Sequence, residues 1–304
     1  MKSLLVIPLV LISLMSFPSL GADFEKGFAA AQAGDFATAL REWTPLAEQG
    51  IADAQFNLGL MYRNGDGVLQ DDKTAVKWYT LAAEQGHAEA QTNLGFMYGG
   101  GYGVIQDDKT AVKWYTLAAE QGKARAQYNL ALMYRNGDGV LQDDKTAVKW
   151  YTLAAEQGDA DAQYSLGLMY RNGEGVLQDD KTAVKWYTLA AEQGIADAQF
   201  NLALMYDNGE GVLQDDKTAV KWYTLAAEQG VAVAQTNLAI LYAIGDGVIR
   251  DDVYAHMWAN IASSNGSEGG GKVRELVAET MTPSQLEKAQ DLARECVAKN
   301  YKNC

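Results

Sequence analysis

Apolar residues recur along the chain at the spacing that places them on one face of a helix. The segment Asp159–Gly194 contains two such stretches, separated by polar residues and glycines. The first stretch follows the spacing i, i+4, i+7, i+8, with Ala162, Leu166, Met169 and Tyr170. The second adds one more position, with Ala183, Trp186, Tyr187, Ala190 and Ala191. The pattern predicts a helix–loop–helix unit without strands.

Residues around these stretches predict where each helix begins and ends. Asp159 and Asp179 precede the two helices, and aspartate is a good N-cap residue. The loop Asn172–Gly175 contains two glycines, which allow the positive φ that a helix exit and a sharp turn require. Val176 and Leu177 follow as apolar loop residues. We expect both of them to fill the gap between the two helices.

One sequence, Gln-Asp-Asp-Lys-Thr-Ala-Val-Lys-Trp-Tyr-Thr-Leu-Ala-Ala-Glu-Gln-Gly, occurs five times without change. The copies start 36 residues apart, at 70–86, 106–122, 142–158, 178–194 and 214–230, and a drifted copy follows around Trp258. A fixed period between about 20 and 50 residues is typical of solenoids, in which neighbouring units bury each other's apolar faces. We therefore predict an all-α fold, an α-solenoid (α/α superhelix), with six repeats over residues 51–266 and the tryptophans in its core.

The two ends of the predicted solenoid differ from the repeats. Residues 23–50 form a shorter unit, in which Ala33–Phe36 joins two helices directly. Residues 267–304 begin with a glycine-rich link and contain two closing helices. The second of these opens with Thr282–Gln285, which combines a capping box with Pro283 at the first helical position. Both ends are interpreted as caps.

The repeat carries a motif that is known from a family. It reads Ala-x-Ala-Gln-x-x-Leu-Gly-x-Met-Tyr-x-x-Gly-x-Gly-Val-x-x-Asp, followed by Ala-x-x-Trp-Tyr-x-x-Ala-Ala-Glu-Gln-Gly. This motif resembles the Sel1-like repeat, a relative of the tetratricopeptide repeat with a longer loop, and the helix pair at 23–50 resembles a tetratricopeptide-like cap. The resemblance implies a non-enzymatic adaptor or scaffold that binds other proteins. It also brings two alternatives, a scaffold of envelope or polysaccharide assembly and the β-lactamase or penicillin-binding activity ascribed to a cysteine-rich branch.

The N-terminus has the layout of a secretory signal peptide. A positive start at Lys2 is followed by the apolar run Leu4–Phe17 and by the small residues Ser19, Gly21 and Ala22. An N-terminal membrane anchor is the alternative, but the run is too short to span a bilayer. We expect residues 1–22 to be removed, and the protein to be exported to the periplasm or secreted. No later stretch is apolar enough to be an integral membrane span.

The net charge limits the classes of partner, and the two cysteines allow a disulfide. The net charge of −14 disfavours nucleic acid, which is bound through clustered lysines and arginines. The two cysteines, Cys296 and Cys304, are interpreted as a disulfide because exported proteins are oxidised, although two free thiols remain an alternative. A continuous helix would hold them about 12 Å apart, so the last helix must end near Lys299–Asn300.

The residues that could support catalysis or metal binding do not form a known site. A β-lactamase of the serine type needs Ser-x-x-Lys, which the chain lacks. His87 and His256 lie 169 positions apart, and we expect them at an exposed helix start and on a helix surface. The loop Asn64–Gly67 lacks the acidic residues that a calcium loop has at its first and last positions. The sequence therefore predicts no enzyme, no cofactor and no metal.

Five identical second helices cannot distinguish one partner from another, so specificity should reside in the first helices. Their variable positions, 53, 56, 60 and 63 in the first repeat with Asn57 beside them, share one face. The resemblance implies that first helices line the concave side. We predict a groove for a protein or peptide there, on a chain that is favoured to be a monomer. Its candidate residues are Phe56, Asn57, Arg63, Asn93, Phe96, Tyr128, Asn129, Arg135, Tyr164, Arg171, Phe200, Asn201 and Asn237.

The same residues allow a purely structural interpretation. Phe56, Tyr128, Tyr164 and Phe200 could pack against the next repeat, and the asparagines could brace one helix against another. The sequence leaves both interpretations open for the aromatic residues and the asparagines. Aromatic and arginine side chains are, however, the types that dominate binding hot spots.

Overall fold

The computed structural model describes residues 22–304, which form sixteen α-helices and no strand. The predicted signal peptide therefore lies almost entirely outside the described residues. None of the sixteen helices is both long and apolar enough to span a membrane. Their bounds are α1 Phe24–Gln32, α2 Phe36–Glu48, α3 Ala52–Asn64, α4 Asp72–Glu84, α5 Ala88–Gly100, α6 Asp108–Glu120, α7 Ala124–Asn136, α8 Asp144–Glu156, α9 Ala160–Asn172, α10 Asp180–Glu192, α11 Ala196–Asn208, α12 Asp216–Ala227, α13 Ala232–Ile244, α14 Asp252–Ser264, α15 Glu268–Ala278 and α16 Pro283–Ala298.

The chain divides into two compact units, each built by packing consecutive helices. The first unit extends to Ala90 and includes Tyr102–Val104, and in it α1 packs on α2, α2 on α3 and α3 on α4. The second unit comprises Gln91–Gly101 and Ile105–Cys304, and its helices from α6 to α15 pack in the same consecutive order, whereas α16 packs on α14. Packing of successive helix pairs is the arrangement of an α-solenoid. The predicted fold class is confirmed.

The helix ends follow the predicted capping residues. The side chain of Asp179 accepts a hydrogen bond from the backbone N–H of Thr182 at 3.1 Å, and the Thr182 hydroxyl donates to the same carboxylate at 2.6 Å. These bonds lower the pKa of Asp179. Asp71, Asp107, Asp143 and Asp215 cap their helices in the same way. Thr282 and Gln285 form the predicted capping box of α16.

Each long loop packs its second glycine against the helix start of the preceding repeat. Gly175 has φ 68°, and a Cβ at that position would lie 2.5 Å from the carbonyl oxygen of Asp144. Val176 is half-buried and packs against the core, as expected. The expectation for Leu177 is wrong, because Val176 already occupies the inner position and Leu177 is 90% exposed. The corresponding residues are equally exposed, namely Leu69, Ile105, Leu141, Leu213 and Ile249.

Buried glutamines connect the repeats by hydrogen bonds. The side chain of Gln163 is buried and donates to the carbonyl oxygen of Ala155, at the end of the preceding second helix, at 3.1 Å. It also accepts from Gln193, at the end of its own repeat, at 2.8 Å. Within the second unit, the same pair of bonds recurs at Gln127, Gln199 and Gln235.

The core consists mainly of alanine, leucine, methionine and tyrosine side chains. Tyr151, Tyr187 and Tyr223 are fully buried among alanines in the second unit. The tryptophans fit the predicted core only in part, since three of the seven are buried and the others are half-buried. The buried ones are Trp43, Trp186 and Trp258.

The C-terminal end is closed by the last helix and its tail. Helix α16 ends at Ala298, and the chain turns back so that a disulfide joins Cys296 and Cys304 as predicted, with their Cα atoms 5.3 Å apart. The expectation for His256 is wrong, because this residue is buried under the closing helices instead of lying on a surface. It stands one period after Val220, on the side of the helix that packs inward.

Candidate functional site

The predicted binding surface is the face of the first helices that carries the residues equivalent to positions 53, 56, 57, 60 and 63, here named the first-helix face. In the second unit, Tyr128, Tyr164 and Phe200 of this face are half-buried. Each ring centre lies 5.7–6.0 Å from that of a buried tyrosine in the second helix of the same repeat. Burial raises the pKa of Tyr128 and Tyr164. One side of each residue is therefore packed, and the rest is accessible.

In the first unit, Phe56 has a similar position. Its ring centre lies 6.0 Å from that of Tyr79 and stacks on the His87 ring at 4.6 Å. His87 was expected to be exposed, which is wrong, since its Nδ1 accepts from the backbone N–H of Ala90 at 3.2 Å and only 13% of its side chain is exposed. The Arg63 guanidinium lies 5.7 Å from the centre of the Tyr102 ring. Asn57, also predicted here, is half-buried.

The arginines of the second unit connect each repeat to the loop of the next one. Arg135 Nη2 donates to Glu174 Oε2 at 2.9 Å. Arg171 Nη2 donates to Glu210 Oε2 at 3.1 Å, and its Nη1 donates to Asn201 Oδ1 at 3.2 Å. These two guanidinium groups are part of the junctions between repeats, where a junction means the contact of one repeat with the next.

The asparagines do not all have the same role. Asn201 accepts from Arg171, and Asn237 donates to the hydroxyl of Tyr223 at 3.0 Å. The Asn129 side chain, by contrast, makes no hydrogen bond within residues 22–304. Two of these asparagines therefore brace a junction, as the structural interpretation proposed, whereas Asn129 keeps its amide available.

Exposed groups lie beside the aromatic residues. Arg125 forms an ion pair of 3.0 Å with Asp161, and its guanidinium lies 5.1 Å from the centre of the Tyr128 ring. Phe96 is 42% exposed, and Asn93 is half-buried. In the second unit the first-helix face thus combines apolar edges with charges of both signs.

A cavity of about 260 Å³ opens on this face beside Gly99 and is here named the Gly99 cavity. Tyr115, from helix α6, is 6% exposed, and burial raises its pKa to about 12, so its hydroxyl stays protonated. No lysine or arginine lines the cavity. Its lining residues are Gly99, Gln106, Asp108, Tyr115, Asn129, Leu132, Met133 and Asp138.

Comparison with known proteins identifies the repeat. The model of the Sel1 repeat matches six consecutive segments, at 52–87, 88–123, 124–159, 160–195, 196–231 and 232–267. The chain belongs to the Sel1 repeat family. Sel1 repeats generally mediate protein interactions and are generally non-catalytic scaffolds, so the hydrolase alternative is not favoured.

Two solved structures are similar to this Sel1 repeat protein. A Sel1 repeat protein from Oxalobacter formigenes is 34% identical, with a TM-score of 0.69, over 79% of this chain and 96% of that one. A protective antigen of uropathogenic Escherichia coli strains, which displays a Sel1-like repeat (SLR) fold, is 31% identical with a TM-score of 0.61. That match covers 91% of this chain and 69% of the antigen. Comparison with curated proteins gives no match.

Sequence reasoning missed the residues of the second helices and loops that complete the Gly99 cavity. Tyr115 was not predicted, because the repeated segments were taken to carry no specificity, and Asp138 was not, because its loop was interpreted only as a turn. The available signal was Gly99, which stands where the next two repeats of the Sel1 array have Arg135 and Arg171. Among residues 22–304, no cluster of histidine, cysteine or acidic side chains could hold a metal ion.

Proposed function

We propose that this Sel1 repeat protein is a non-enzymatic scaffold that binds a protein or peptide on the first-helix face of its second unit. The observation that supports this most directly is the row formed by Tyr128, Tyr164 and Phe200, each packed on one side and accessible on the other. Aromatic residues that are rigid before binding lose little conformational entropy when they make contacts. Such residues are therefore suited to anchoring a partner.

Site-specific crosslinking tests the location of the interaction. The photoreactive residue benzoylphenylalanine would replace Tyr164 in one variant and Leu177 in another, each made in the cells that produce the protein. Both positions reach solvent, but Leu177 lies on the loops and not on the first-helix face. We expect a discrete protein adduct from position 164 and none from position 177. An adduct from position 177 alone would contradict the proposal and favour a scaffold that uses its loops.

We also propose that the protein is exported, on the basis of the N-terminal sequence pattern. The mass of the protein purified from the periplasm or the culture medium tests this. Cleavage after Gly21 or Ala22 is the expected result, whereas an intact Met1 on a protein retained in the cytoplasm would contradict it.

A further inference from the structure

Two successive junctions of the second unit share one arrangement of a guanidinium group. Arg135 pairs with Glu174, and Arg171 pairs with Glu210 while also donating to Asn201. In both junctions the carboxylate lies 39 residues after the arginine, on the loop of the next repeat. The chain itself therefore shows which group this environment accommodates.

The preceding junction keeps the acceptors but lacks the arginine. Gly99 occupies the arginine position, Asp138 follows it by 39 residues, and Asn129 follows it by 30 residues, as Asn201 follows Arg171. Asp138 accepts one hydrogen bond, from Asn136 to Oδ2 at 3.1 Å, and its Oδ1 has no partner within residues 22–304. Asn129 has none there either. The two acceptors that Arg171 uses in its junction thus have counterparts here, and no guanidinium group of the described chain donates to them.

Tyr115 shows that the space of the missing side chain is open. The hydroxyls of its counterparts Tyr151 and Tyr187 are inaccessible to solvent, in the junctions that contain Arg135 and Arg171. Tyr115 is 6% exposed and lines the Gly99 cavity, and its hydroxyl is not among these solvent-inaccessible groups. The hydroxyls of Tyr151 and Tyr187 also have no hydrogen-bond partner within residues 22–304, so what differs at Gly99 is the accessibility of the hydroxyl.

We propose that the Gly99 cavity binds a guanidinium group, carried by an arginine side chain of the protein or peptide partner. The carboxylate of Asp138 and the amide oxygen of Asn129 accept its N–H groups, as Glu210 and Asn201 accept those of Arg171. Asp108 adds a second carboxylate to the lining. This inference rests on the proposed function and names a feature of the partner, an arginine that enters the second unit beside α5.

Geometry favours arginine over lysine. A guanidinium presents five N–H donors in a planar fork and can reach two acceptors at once, whereas an ammonium is a compact point charge. The partner's arginine side chain would enter from solvent. Its guanidinium group would then lie at the place that the guanidinium groups of Arg135 and Arg171 occupy in the next two junctions. The planar group would also cover the Tyr115 hydroxyl.

The variant Gly99→Arg should occupy the cavity from within the chain. Gly99 is helical, and a Cβ there would meet only the Cβ of Ala111, at 3.7 Å, which is an ordinary contact. The substitution restores the residue found at three equivalent positions, Arg63, Arg135 and Arg171, so we expect it to fold. Gly99→Ala is the matched control, because it adds the Cβ and leaves the cavity open.

Nuclear magnetic resonance titration of the full chain with N-acetyl-arginine amide tests the proposal. We expect saturable shifts of the Asn129 side-chain amide with a Kd on the order of 1–10 mM. The Kd should be unchanged in Gly99→Ala and at least tenfold higher in Asp138→Asn. In Gly99→Arg the saturable shifts should be absent. N-acetyl-citrulline amide, which has a similar shape without the charge, should bind at least tenfold more weakly.

Three outcomes would overturn this inference. They are the absence of saturable shifts in the wild type, equal shifts in Gly99→Arg, and tighter binding of free arginine than of the blocked amide, which would point to a small molecule. A result that refutes arginine binding in the cavity can be distinguished from a result that refutes the proposed scaffold function. A protein adduct at position 164 without arginine binding refutes only the cavity, and arginine binding without any adduct refutes only the scaffold.

Discussion

Within the second unit, a single buried glutamine connects one repeat to the next at four junctions, at Gln127, Gln163, Gln199 and Gln235. The Gln163 side chain donates its amide N–H to the carbonyl of Ala155 and accepts at its amide oxygen from Gln193, so both polar groups of the buried side chain have a partner. Leucine has a similar volume but can make neither bond. The residue is therefore placed there by hydrogen bonding and not by size.

We expect Gln163→Leu to lower the free energy of unfolding by about 1–3 kcal/mol, because it removes two hydrogen bonds, one to the Ala155 carbonyl and one from the Gln193 side chain. The Ala155 carbonyl then keeps the bond from the backbone N–H of Gly158. Urea unfolding followed by circular dichroism measures this. Gln142→Leu is the control, since Gln142 is exposed and should change stability by less than about 0.5 kcal/mol. Equal effects of the two substitutions would show that the glutamine bonds contribute nothing.

His256 makes stability depend on pH. It is 4% exposed, its Nδ1 has no hydrogen-bond partner within residues 22–304, and burial together with the nearby Arg274 lowers its pKa below the ordinary 6.5. The unfolded chain therefore binds a proton here at a higher pH than the folded chain does. Stability is lost as the pH falls below about 6.5, because protonation then favours the unfolded state.

Thermal unfolding between pH 7.5 and 5.5 tests this dependence. The melting temperature of the wild type should fall towards pH 5.5, and His256→Gln should reduce that fall. The window lies above the titration of Asp143, Asp179 and Asp215, which cap second helices and whose pKa values are lowered by their hydrogen bonds. If the variant lost as much stability as the wild type over this range, another group would be responsible.

At the scale of the element, the loops connect repeats through glycine. Gly175 and Gly194 both have positive φ, but a Cβ on Gly175 would collide with the backbone of Asp144, whereas one on Gly194 would meet nothing within 4 Å. We expect Gly194→Ala to cost about 1–2 kcal/mol from the left-handed backbone alone. Gly175→Ala should cost more, because the loop must also move. Urea unfolding of the two variants compares these costs, and equal values would exclude the steric contribution.

The junction at Asp207 lacks the arginine of its predecessors. Burial and the nearby carboxylates of Asp216 and Asp246 raise the pKa of Asp207, whereas the hydroxyl of Tyr223 donates to it at 3.1 Å. Asp207→Arg should stabilise the protein by about 0.5–1 kcal/mol, because it replaces repulsion with an ion pair to Asp246. Asp207→Asn removes only the charge and should give a smaller gain. A lower melting temperature for the arginine variant than for the asparagine variant would contradict this.

The positions of the helices could be predicted from the sequence, because their local signals recur in every repeat. The contacts that side chains make between repeats could not. The 36-residue period and the capping aspartates indicated the helix–loop–helix order correctly. The burial of His256 could have been inferred from Val220, which stands one period earlier. The exposure of Leu177 could not, because the sequence does not indicate which side an apolar loop residue faces. The roles of Arg171 and Asn201 depend on a contact between residues 30 positions apart, which the spacing within one helix does not reveal.

At the scale of the whole chain, the last junction is completed by the tail. Tyr301 donates its hydroxyl to Asn265, and the backbone N–H of Asn303 donates to Glu228. The disulfide between Cys296 and Cys304 holds the tail in that position. In a solenoid each repeat is stabilised mainly by its neighbours, so the end of the array is its weakest part.

Replacement of both cysteines by alanine should therefore weaken the C-terminal end first. The expected cost is about 2–3 kcal/mol for a loop of this length. Hydrogen exchange should accelerate in α14 and α16 while α9 keeps its rate, since α9 lies several repeats away. Uniform acceleration along the chain would instead indicate that the second unit unfolds as a whole.

The position occupied by Gly99, Arg135, Arg171 and Asp207 differs between junctions whose surroundings are nearly the same. A single codon change at this position opens a cavity, closes it or changes its charge, while the helices on either side keep their contacts. Under the proposed function, the ligand preference of one repeat can therefore change without altering that of the others. The near-identical copies would then offer a set of recognition positions that vary independently.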